Sequence, residues 1–170
     1  MILKREYFSS PATVLAPDLV GKLLCRRCAD GSVTKARITE TECYFGEEDT
    51  ACHAHKGKTE RTKPLYEKGG ITYVYLCYGI HSLLNIVSGN EGHPEAVLIR
   101  GVEGAIGPGR ATKFLNISLK DNAIPLCEES GIWIEDDGEK KPKLECLPRV
   151  GIDYANKKDR ERKWRFKVKQ

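Results

Sequence analysis

The residues best equipped for chemistry lie in one run, Arg37-Ile38-Thr39-Glu40-Thr41-Glu42-Cys43-Tyr44-Phe45-Gly46, with Cys52-His53-Ala54-His55 just behind it. A carboxylate held away from bulk water can take a proton from a water molecule, and an imidazole can hold or pass one. Two acids, an aromatic and two imidazoles at the end of a strand-like stretch are material for an active site rather than a core. Glu42 is the centre of that set.

A second set is aromatic. Tyr73 and Tyr75 share one face of the run Ile71-Thr72-Tyr73-Val74-Tyr75-Leu76-Cys77-Tyr78, and Tyr78 falls at its end beside Gly79. Cross-strand packing accounts for such residues taken singly. An exposed aromatic at a hairpin tip is also an economical wedge for opening a base step, because it stacks where a base has left. Gly107-Pro108-Gly109 precedes a helix-like segment, where it serves equally as a plain turn or as free N–H groups for an anion.

Other chemistries lack their signatures. Cys25-Arg26-Arg27-Cys28 has the spacing of half a zinc site, but Cys52, His53 and His55 do not supply a second half at any standard spacing, so the pair reads as structural thiols. A nucleophile pair of Cys43 or Cys52 with His53 rests on spacing alone. No His-Glu-x-x-His, Walker loop or Gly-x-Ser-x-Gly occurs. No metal and no cofactor is expected.

These groups need elements to position them. Ser10 before Pro11 reads as the cap of a short helix, with Pro17 and Asp18 starting another turn. Residues 22–28 and 33–42 read as a hairpin about a turn at Ala29-Asp30-Gly31-Ser32. Alternation places Ala36, Ile38, Glu40 and Glu42 on one face of the second strand. Residues 47–70 read as a long polar loop or a short helix plus loop, and loops of that length usually carry function. The run 71–78 pairs with 83–87 across Gly79-Ile80-His81-Ser82, Ala96 to Arg100 is a further strand, Arg110 to Leu115 a helix, and 131–135 and 149–152 are late strands. The expected architecture is one α+β domain over 1–170 with a curved, mainly antiparallel sheet, a protruding hairpin and flanking helices.

The totals agree with a soluble globular protein. The chain has 170 residues, 40% of them apolar and 31% charged, enough for one core. No stretch approaches the roughly 20 apolar residues of a membrane span, and the N-terminal residues lack a signal-peptide apolar region, so a cytoplasmic protein without membrane association is expected. The seven cysteines show no regular spacing and read as reduced thiols. The net charge is only +4, yet Lys157 to Lys169 carries eight Lys or Arg against Asp159 and Glu161. That segment, about 157–170, reads as a solvated basic tail or as an electrostatic footprint for a polyanion.

Taken together, Ile38 to Tyr44, Asp49-Thr50-Ala51-Cys52-His53, Gly57-Lys58-Thr59, Tyr73 to Gly79, Leu84-Asn85-Ile86, Ala96 to Arg100, Gly107-Pro108-Gly109, Pro148 to Ala155 and Trp164-Arg165-Phe166 resemble the alkyladenine (3-methyladenine) DNA glycosylase family. The match runs in order from Tyr7-Phe8 to Phe166, and the joint pattern is far more specific than any piece. The resemblance implies a monomeric, monofunctional base-excision enzyme acting on double-stranded DNA that contains damaged purines. It implies Glu42 as the general base that activates water and Arg100 as the residue that helps hold that water. It further implies Tyr44, His53 and Tyr75 as the walls around an extruded base, Asn85 as the screen at its exocyclic edge, and Tyr78 as the intercalating wedge. None of the positions to which the resemblance gives a role in the pocket is a lysine, as a lyase would need. The sequence departs from the pattern at Val102 to Ile106, where a helical segment is cut short, and at Glu60, where a proline commonly follows Thr59. The rival from another class is a non-catalytic damaged-DNA-binding module of the same fold; a third reading is a small-molecule enzyme using the same pocket.

Overall fold

The computed structural model describes residues 1–170. Its organising element is the second strand. Strand β1 (Leu23–Arg27) and β2 (Val33–Phe45) form the first hairpin; β3 (Thr72–Cys77) and β4 (His81–Val87) form another; β5 (Glu95–Val102), β6 (Ala105–Ile106), β7 (Ile132–Glu135), β8 (Leu144–Leu147) and β9 (Arg165–Val168) complete a nine-stranded sheet. The main order is β3-β4-β5-β2-β1-β7, and every pair is antiparallel. The long β2 changes partners along its length: Val33 to Arg37 pair with β1, Ile38 to Phe45 with β5, and Glu40 to Glu42 also with β9.

One face of the sheet carries the main core. Helix α1 (Ala12–Leu19) lays Ala12, Leu15, Ala16 and Leu19 against it, and α2 (Pro108–Phe114) adds Ala111. Ser10 does not cap α1. It is extended, and the free first-turn N–H of Ala12 instead donates to the buried Glu95 carboxylate at 2.7 Å, where an anion also complements the helix dipole. Pro17 lies inside α1 rather than opening a new turn.

The register of β2 shifts between Ile38 and Glu40 and again between Glu40 and Thr41. The even alternation expected from the sequence therefore fails. Ala36 and Ile38 sit in the main core, but beyond the bulge it is Cys43 that does so, and the Thr41 hydroxyl donates to the Ala16 carbonyl of α1 at 2.7 Å. Glu42 and Tyr44 are turned to the opposite face. A bulge inserts one residue and bends the strand, which moves the catalytic candidate out of the core face and curves the sheet.

That opposite face holds a smaller layer built from the segment 47–70. Two 3₁₀ turns, His53–Lys56 and Lys63–Tyr66, bring Ala54, Leu65 and Tyr66 against Tyr73, Val87 and Ala96. The shortened stretch after β5 is a tight β5–β6 hairpin, pairing Gly101 with Ile106 and Val102 with Ala105. At the β3–β4 tip Tyr78 and Ile80 project with 91% and 74% of their surface exposed. Tyr78 takes the left-handed conformation, φ 53°, beside Gly79 at 70°.

The late chain differs from expectation. Residues 149–152 are not a strand; they form an irregular turn between β8 and α3 (Lys157–Glu161). Nor is the basic segment a free tail: Asn156 caps α3 by accepting from the Asp159 N–H at 2.9 Å, and β9 buries Phe166 in the core. Charged residues alternate with Trp164, Phe166 and Val168 there, and charge density masked the short strand. No helix is long and apolar enough to cross a membrane.

Candidate active site

A cavity of about 960 Å³ opens on the face that Glu42 and Tyr44 share. Tyr44, His53, Tyr73, Tyr75 and Asn85 line one part; Tyr78 and His81 of the hairpin and Gly107 to Arg110 of α2 line another. Arg100 and Val150 stand in its wall. The structure thus brings together all but one of the site residues expected from the sequence.

The exception is Glu42, which is 0% exposed and adds no surface to the cavity. It lies beneath Tyr44, Arg100 and Val150. The Tyr44 hydroxyl donates to its Oε1 at 2.9 Å, the Val150 N–H donates to its Oε2 at 2.7 Å, and Arg100 Nη1 is 3.8 Å from Oε1. Burial pushes the Glu42 carboxyl above its ordinary range; Arg100, the Val150 N–H, the Tyr44 hydroxyl and Arg149 oppose that shift without cancelling it. A carboxylate raised in this way is a stronger base than one in water. Glu40, beside it, accepts from Arg100 Nε at 3.3 Å and from Arg165 Nη1 at 3.0 Å, so it fixes Arg100 rather than facing the cavity.

The aromatic wall is cross-braced. His53 Nδ1 lies 3.1 Å from the Tyr73 hydroxyl, and the His53 ring meets Tyr75 edge to face with centroids 4.4 Å apart. Burial, then the charge of Arg61, holds the imidazole at about 4, so it is neutral at physiological pH. Asn85 donates from Nδ2 to the Tyr73 carbonyl at 3.2 Å, which fixes the amide plane and leaves its Oδ1 and a second N–H for a ligand. His55 is outside this set, with Nδ1 at 2.7 Å from the Glu47 carbonyl.

Neither Cys43 nor Cys52 competes with Glu42. Cys43 faces the core, and burial pushes the Cys52 thiol up to about 12, so neither is a thiolate beside His53. Cys25 points toward the Leu23 carbonyl and Cys28 toward Thr34, so the two do not share a ligand position.

Sequence reasoning missed Arg149. Its side chain is 0% exposed and grips Asp49 with both terminal nitrogens, at 2.7 and 2.9 Å. It also donates to the Cys43 carbonyl at 2.9 Å and the Asp159 carbonyl at 3.2 Å. Its guanidinium carbon lies 4.9 Å from the Tyr44 ring centroid and 5.1 Å from that of Trp164. Arg149 therefore backs the Tyr44 wall and anchors the turn whose next residue, Val150, holds Glu42. Asp49 and Arg149 are a hundred positions apart in the chain; only the chain reversal through β8 and β9 joins them. Tyr154 likewise spans the mouth, donating from its hydroxyl to the Ala51 carbonyl at 2.8 Å.

The comparisons with known proteins agree with this architecture. The methylpurine-DNA glycosylase family pattern matches residues 6–106 and 103–170. A protein of Psychrobacter cryohalolentis that carries the provisional name 3-methyladenine DNA glycosylase is 43% identical over 91% of this chain and 86% of its own. Proteins with the same provisional name from Borrelia garinii subsp. bavariensis and Methanocella arvoryzae are each 38% identical, over 98% and 97% of this chain and 96% and 91% of theirs. The aromatic cavity, the buried acid behind it and these matches over nearly the whole chain have one reading: the chain belongs to the methylpurine-DNA glycosylase family.

Proposed function

We propose that this protein excises alkylated or deaminated purines from double-stranded DNA by hydrolysing the N-glycosidic bond and leaving an abasic site. The observation that carries the reading is Glu42: a buried carboxylate with a raised proton affinity, oriented by Val150 and Arg100, directly behind an aromatic cavity. Tyr78, at the exposed tip, takes the place of an extruded nucleotide in the stack. The base enters between Tyr44, His53 and Tyr75, and Asn85 contacts its exocyclic edge.

Hydrolysis then needs water at the carboxylate. One lone pair of Glu42 Oε1 is held by the Tyr44 hydroxyl; rotation of that hydroxyl toward an entering base frees the oxygen for a water beside Arg100. Glu42 takes the water proton as its oxygen attacks C1′, the glycosidic bond breaks, and the base leaves with the bonding electrons. An alkylated purine that already carries positive charge departs neutral, whereas a neutral purine such as hypoxanthine departs as its anion and takes up a proton from solvent. A carboxylate also stabilises the oxocarbenium character that develops on the sugar, so the step needs no group outside this chain.

The test is Glu42→Gln on duplexes bearing 3-methyladenine, hypoxanthine or ethenoadenine. Release should fall by at least about 10²-fold, the scale of a lost general base, while binding to an abasic-site analogue survives. Excision at the normal rate would remove Glu42 from the mechanism. One observation favours a non-catalytic damaged-DNA-binding module instead, namely that Glu42 has no surface in the cavity. Wild type that binds these duplexes and releases no base would establish that alternative.

A further inference from the structure

Arg61 stands in the segment 47–70 with its guanidinium carbon 5.5 Å from the centroid of the Tyr75 ring. Tyr75 lines the cavity, whereas Arg61 is an exposed residue that adds no surface to it. Arg61 forms no ion pair, so its charge is not locally neutralised.

On the reading of the site given above, we infer that Arg61 is a specificity-determining residue, a charge held over the Tyr75 ring that biases the cavity against cationic bases and toward neutral ones. A ring between two cations cannot serve both fully, because the guanidinium on one face draws on the same quadrupole that a cationic base would use on the other. Direct repulsion adds to this. A base stacked on Tyr75 would bring its charge within roughly 10 Å of the guanidinium, in reach even of a partly screened field. The same charge bears on the neighbouring wall residues, adding to the burial that holds the His53 imidazole neutral and working against the burial that raises the Tyr73 hydroxyl. A neutral purine such as hypoxanthine feels neither effect, whereas N7-methylguanine and N3-methyladenine, which are cationic as nucleotides, feel both.

The experiment compares wild type, Arg61→Gln and Arg61→Lys for kcat/KM on duplexes identical except for a 7-methylguanine or a hypoxanthine. For Arg61→Gln the ratio of cationic to neutral excision should rise about three- to fivefold, the size of one unit charge at that separation in a partly screened medium. Arg61→Lys, which keeps the charge, should hold the ratio within about twofold of wild type. A ratio left unchanged by Arg61→Gln would overturn the inference. So would an equal fall for both lesions, which would mark Arg61 as a contact to the DNA backbone or as a support of the fold. Wild type that releases neither base would overturn the excision reading and this inference with it, an outcome distinct from an unaltered ratio.

Discussion

Replacing Arg149 with methionine keeps much of the side chain's length and removes its charge and donors. Five polar contacts converge on this group's neighbourhood: two to the Asp49 carboxylate, one each to the Cys43 and Asp159 carbonyls, and the Val150 N–H that follows it onto Glu42. Burial opposes the guanidinium charge, yet Asp49 more than compensates and Arg149 is held charged. Removing one partner of such a buried pair costs about 3–5 kcal/mol, because the other charge is left in the interior. Asp49 keeps the Phe45 and Ala51 N–H groups, at 3.0 and 3.1 Å, which places the cost toward the lower end of that range. For a domain of this size each kcal/mol shifts Tm by about 2–4 °C, so the loss should be roughly 6–15 °C in a thermal melt. Adding Asp49→Asn to Arg149→Met should recover part of it, since the stranded charge is then gone. Base release measured well below the new Tm should still be reduced, because Tyr44 loses its backing and Val150 its anchor. A fall of less than about 1 kcal/mol, or a double variant no better than Arg149→Met, would refute this account of the pair.

Three further outcomes follow from the same geometry. Tyr44→Phe keeps the ring and removes the donor to Glu42 Oε1; since the ionised carboxylate is the active form and loses a bond that favours it, the acid limb of the kcat/KM profile should move to higher pH, with little change on the plateau. Tyr78→Gly relieves a left-handed backbone at a 91% exposed site, so stability should stay within about 1 kcal/mol of wild type while excision from duplex DNA falls. Partial burial works against the charge on His93, but Glu95 and then Glu48 raise its proton affinity above the ordinary value of 6.5; its contribution to stability is fully present below that pH and is lost as pH rises through the raised value, so chemical unfolding of wild type and His93→Gln should differ at pH 6 and converge at pH 9.

The strands were legible wherever apolar runs were bounded by glycine or a polar turn, as in Thr72–Cys77 and Glu95–Val102. The partners of the site were legible only in part. Tyr44, His53, Tyr75, Asn85 and Arg100 could be singled out because the resemblance runs through their surroundings, and the fold gathers them about one cavity. Arg149 could not, since its meaning lies in Asp49 and Cys43 a hundred residues away and no local pattern encodes that meeting. The N-terminus of α1 failed for the same reason: a local serine was the visible cap, and a distant Glu95 is the actual one. Short β8 and β9 were hidden by charge, because a strand whose outward residues are Lys and Arg looks like a tail until its apolar partners are seen to pair with β2.

The bulge in β2 shows why the central acid was identifiable by type and not by facing. Strict alternation would have put Glu42 on the face of Ile38, inside the main core, where an unpaired carboxylate would be prohibitively costly. The register shifts at Glu40 reverse that parity within one strand. Upstream residues thereby serve the core beneath α1, and downstream residues serve the cavity, without a break in the sheet. Glu42 remains fully buried on its new side, so the fold tolerates the carboxylate only with the Val150 N–H, the Tyr44 hydroxyl and Arg100 around it. Those same three groups fix its orientation and hold back part of the rise in proton affinity that burial imposes. Burial is what raises the acid's proton affinity and the three contacts are what let the fold hold it there, so on the proposed reading the C-terminal turn at Arg149 and Val150 belongs to the active site as much as the strand that carries Glu42 does.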